Sequence, residues 1–85
     1  MLSLEDCIAF SELSREEIDA IAEHEHLPLI VAAELGCYML HLPKGADAIK
    51  MIMLDDIRDA IHARDFAHSA RLKMALRHFV QDHAG

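Results

Sequence analysis

Tryptophan is absent from this 85-residue chain, and one tyrosine and three phenylalanines are its only large aromatic rings. The interior must therefore be built from Ile, Leu, Val, Ala and Met. Cysteine is almost as scarce, since Cys7 and Cys37 form neither a CxxC pair nor a dense framework. With no signal peptide in view, reduced thiols in a cytoplasmic setting are expected, each serving as a small buried apolar residue. The longest apolar run, residues 27–42, is too short for a bilayer and is broken by Glu34. A glycine-rich phosphate loop, a nucleophile elbow and HExxH are also missing, so an enzyme is the minority reading. Positive charge is the last shortage. Fifteen acids against eight bases give −7, which argues against binding nucleic acid through its phosphates.

What is present is apolar surface in excess. Apolar residues make up 53% of a chain too small to hide them all. Such an excess predicts a shared interface, so a homo-oligomer, dimer or larger, is expected. The charge is also unevenly placed. Residues 1–56 carry twelve acids and three bases, whereas residues 57–85 carry three acids and five bases. The halves should pack on each other, or pair between chains.

The patterning is helical throughout, and no segment alternates as a strand would. Ser3 caps a short first helix with Glu5 and Asp6 in its opening turn; Leu4, Cys7 and Ile8 share a face, and Phe10 and Leu13 pin its exit. Ser14 and Glu17 form a capping box for a second helix to about His26, with Ile18, Ile21 and Ala22 buried and Glu25 on the same stripe. Residues 28–41 are apolar nearly all round and read as a central helix on which the others are laid. Gly36 within it points to the close approach of a neighbour. After Pro43 no glycine or proline interrupts residues 46–84, but the apolar faces rotate. Ile49, Met53, Ile57, Ala60 and Ile61 make one stripe, and Leu72, Leu76, Phe79 and Val80 another. A turn at residues 63–65 with Asp65 as the next N-cap reconciles them. The expected fold is all-α, a single domain over residues 1–85 with four to five helices around residues 28–41.

Seven histidines are the least ordinary feature of the composition. Imidazole is the commonest metal ligand and the side chain that titrates near neutral pH. Three sets combine it with other ligands at helical spacing: Glu23 with His26, Asp59 with His62 (Asp55 one turn earlier), and Glu34, Cys37 and His41. Glu23-x-x-His26 resembles the inward-facing motif of ferritin-like di-iron proteins, a likeness covering four residues. The resemblance implies an iron site inside a helical core, completed by carboxylates from other helices. The Glu34/Cys37/His41 set suits zinc. None has enough ligands alone, so zinc or iron would need a site shared between helices or subunits. The competing reading leaves each set on a solvated face. On the last helix Arg71, Lys73, Arg77 and His78 point outward beside Phe66, Ala70 and Met74, which suggests a second contact surface.

The leading expectation is a small homo-oligomeric interaction or binding protein without catalysis and with no cofactor. The alternative is a zinc or di-iron carboxylate-like protein with a shared site, and a third is an acidic regulator of a basic partner protein.

Overall fold

Ser14 Oγ accepts from the Glu17 N–H at 3.2 Å, and Glu17 Oε1 accepts from the Ser14 N–H at 3.0 Å. This reciprocal cap starts α2, Arg15–Glu25. Ser3 and Asp6 close the same arrangement ahead of α1, Leu4–Ser11. The computed structural model describes residues 3–83, apart from the side chains of Leu4, Cys7 and Phe10. The face expected for Leu4 and Cys7, and the Phe10 pin, lie outside the described residues. Ile8 packs against the core from α1, and Leu13 is buried in it.

Three further helices follow: α3, Leu29–Leu40; α4, Gly45–His62; and α5, Phe66–His83. The described residues contain no strand, and the chain is all-helical. The turn between α4 and α5 falls at residues 63–65. Arg64 there takes φ 59°, its N–H donating to the Ile61 carbonyl while the Asp65 N–H reaches back to Ala60. That double bond is the Schellman ending, which satisfies carbonyls the helix leaves open. Asp65 Oδ1 then accepts from the His68 N–H at 3.2 Å and caps α5.

Ile18 and Ile21 of α2, Ile49 and Met53 of α4, and Phe79 of α5 form the centre of the core, with Ala32 and Ala33 closing it from α3. Two expected members of the apolar stripes, Ile61 and Val80, are exposed instead. The molecule measures 39 × 29 × 17 Å, thin enough for two layers of helices and no more.

The expected central helix shares the middle: α2, α3 and α4 each pack against three other helices. α2 packs against α3, α4 and α5 although it is more polar than α3. α3 packs against α1, α2 and α4, burying Ala32, Ala33 and Gly36 and setting Leu29, Leu35, Met39 and Leu40 against the core. At Gly36 the Leu13 and Ile21 side chains fill the place a Cβ would take, so the close approach expected there is present. Small residues bring the helix in close but cover little of it. Ile30, Val31 and Tyr38 stay on the surface.

Candidate functional site

Six titratable side chains gather where α2 meets α4 and α5. Glu23 and His24 come from the end of α2, Asp55, Asp56 and Asp59 from α4, and His68 from the first turn of α5. Two pairs cross between helices. His24 Nε2 stands 3.3 Å from Asp55 Oδ2, and His68 Nε2 stands 2.8 Å from Glu23 Oε2 and 3.1 Å from Oε1. Asp55 also faces Arg58 at 3.6 Å, and His24 Nδ1 faces Glu25 at 3.5 Å.

Asp56 sits between the pairs and is 3% exposed. It falls on the buried face of α4 because residues 49, 52, 53, 56, 57 and 60 share that face at helical spacing. Its Oδ2 is buried without a hydrogen-bond partner. Burial pushes the carboxyl up to about 7, and the charges of Glu23 and Asp59 add to this against the opposing pull of His24 and His68. His24 is buried enough for desolvation to work against its proton. The hydrogen bond to Asp55, the charge of Asp56 and the neighbouring Glu25 outweigh that and raise its affinity for a proton.

Of the expected site residues, Glu23 and Asp55 join cross-helix pairs. Glu23 is partnered by His68, not His26, and Asp55 by His24. His26 is exposed at the end of α2, in the left-handed conformation with φ 57°. Asp59 and His62 are exposed on α4, while Asp55, expected on the same wet face, is half-buried against His24. Glu34 and His41 are exposed on α3 and Cys37 is half-buried. His41 turns its Nδ1 onto the Cys37 carbonyl at 2.8 Å, serving the end of its own helix. Glu25, expected to point inward, is exposed, and the buried acids are Glu17 and Asp56. Among the described residues no three His, Cys, Asp or Glu side chains are grouped so as to hold a metal ion.

Beside the seam, Glu23 and His68 line a cleft of about 250 Å³ between α2 and α5, floored by Ala20, Leu72 and Ala75. Ile30, Val31, Tyr38 and Leu42 are exposed along and just beyond α3, Met51, Leu54 and Ile61 on α4, and Phe66, Met74 and Val80 on α5. No helix among the described residues is long and apolar enough to cross a membrane. Compared with protein-family models, curated proteins and solved structures, the chain matches none.

Proposed function

We propose that this chain is a small helical interaction module that associates with copies of itself through its uncovered apolar faces and performs no catalysis. The observation that carries this reading is the outer face of α3. Ile30, Val31 and Tyr38 fall on one side of the helix at about 100° per residue, with Leu42 just past its end, and all four are exposed around the equally exposed Glu34. Scattered exposed apolar residues are ordinary, but a helix face built from them marks a contact surface. The thinness of the molecule supports the same reading, because two layers leave each helix an outer side. A second copy would remove this face from water.

Sedimentation equilibrium at micromolar concentration tests the proposal. The expected result is an assembly heavier than the 9.5 kDa chain. A monomer throughout that range ends the reading. The zinc or di-iron alternative lacks comparable support, because its ligand sets lie apart on surface positions and Glu23 is already engaged with His68.

A further inference from the structure

We infer that the seam joining α2 to α4 and α5 is a proton-operated latch, shut while it holds protons and released at the end of α2 when it gives them up. Both ties of that end depend on histidine. His24 holds it to Asp55 of α4, and His68 of α5 holds Glu23. Each contact is an ion pair only while the imidazole is protonated. Asp56 is the buried group between them, with an oxygen that no donor satisfies. The charges around it are Glu23 and His24 from α2, Asp59 from its own helix, and His68 from α5. Asp55 and Arg58 complete the rim on α4.

With its protons the seam is close to balance, one negative charge in excess. Two imidazolium groups and Arg58 then face the carboxylates of Glu23, Glu25, Asp55 and Asp59, and Asp56 is neutral. Without them, five carboxylates meet two neutral imidazoles and Arg58 alone remains positive. Repulsion then acts between α4 and the last turns of α2, where both ties have weakened. Asp56 gives up its proton near pH 7, and the raised proton affinity of His24 acts in the same sense. The cleft beside Glu23 and His68 gives water access to one of the two pairs. This inference rests on the seam alone and does not require assembly.

Amide hydrogen exchange between pH 6 and 8, with chelator present and corrected for the intrinsic rate, tests it. The comparison is between amides in the last two turns of α2 and those of Ile49–Met53 in α4. Protection of the α2 amides should fall at least about tenfold relative to the α4 set, tenfold being the effect of one unit of proton affinity. Asp56→Asn should keep the ratio above that of the wild type and reduce its fall across the range, leaving only the part due to the two imidazoles. Glu23→Gln removes a charge that keeps the proton on Asp56, so it should move the transition to lower pH. The latch is overturned by a constant ratio in the wild type. An Asp56→Asn profile like the wild type, or an unmoved Glu23→Gln midpoint, overturns it equally.

Discussion

His68 of α5 donates its Nε2–H to the carboxylate of Glu23 across 45 residues of chain, reaching both oxygens, the shorter separation being 2.8 Å. The contact ties α5 to α2 beside the cleft between them. It is partly exposed, with side-chain accessibilities of 29% and 47%, so water screens it. Replacing His68 by Gln should cost about 0.5–1 kcal/mol, the worth of a partly screened cross-helix contact. Urea melts of the variant beside the wild type check this. An unchanged midpoint would leave the contact no share in stability.

Stability should be higher at pH 5 than at pH 8. The Asp56 carboxyl keeps its proton to about pH 7 when folded, against a reference value of 3.8. Below pH 4 it is neutral in both states and costs nothing. Between pH 4 and 7 the unfolded chain ionises while the folded chain resists, so stability falls as pH rises through that window. The difference corresponds to roughly 4 kcal/mol at 1.36 kcal/mol per unit. His24, also raised, acts with the same sign as its own proton leaves. Asp56→Asn should flatten the curve between pH 4 and 7 and stabilise the protein at pH 8. A variant less stable than wild type at pH 8 would mean that the charged carboxylate is needed there.

The helix starts were legible in the sequence because capping is local. Ser3, Ser14 and Asp65 each cap from three residues away, and the turn at 63–65 could be placed from the rotation of apolar faces. The centre was only partly legible. Apolar composition says how much surface a helix seeks to bury, not which helix is surrounded, and α3 shares the middle with α2 and α4. α2 does so with fewer apolar residues because Ile18 and Ile21 are wholly enclosed. The pairs His24–Asp55 and Glu23–His68 span 31 and 45 residues, and helix crossings, not spacing, decide such partners. Asp56 did leave a signal. It falls in step with Ile49, Met53 and Ala60, and a carboxylate on an apolar stripe is itself informative.

Assembly should fail when charge is placed on the outer face of α3. Tyr38 is 63% exposed in the single chain, so Tyr38→Glu should leave the fold intact and change monomer stability by less than about 0.5 kcal/mol. Combined with Val31→Glu it should shift the sedimenting species to 9.5 kDa. The matching pair Phe66→Glu and Met74→Glu tests whether α5 contributes a second surface. If both pairs leave the mass of an assembled wild type unchanged, the interface lies elsewhere.

Two backbone positions should respond in opposite directions to exchanging glycine and a side chain. Gly45 begins α4 after Lys44, and a Cβ there would overlap the Met39 carbonyl, a backbone atom that cannot swing aside. Gly45→Ala should therefore cost on the order of 2–4 kcal/mol, or force the α3–α4 turn into another path. Arg64 is the reverse case. It occupies the left-handed position of the α4 ending with φ 59° and is exposed. A side chain costs roughly 1–2 kcal/mol in that conformation, and glycine returns about half of this as unfolded-chain freedom. Arg64→Gly should thus stabilise by about 0.5–1 kcal/mol, raising the melting temperature by roughly 2–8 °C in a domain of this size. A lower melting temperature for Arg64→Gly would show that the arginine makes an interaction worth more than the strain it bears.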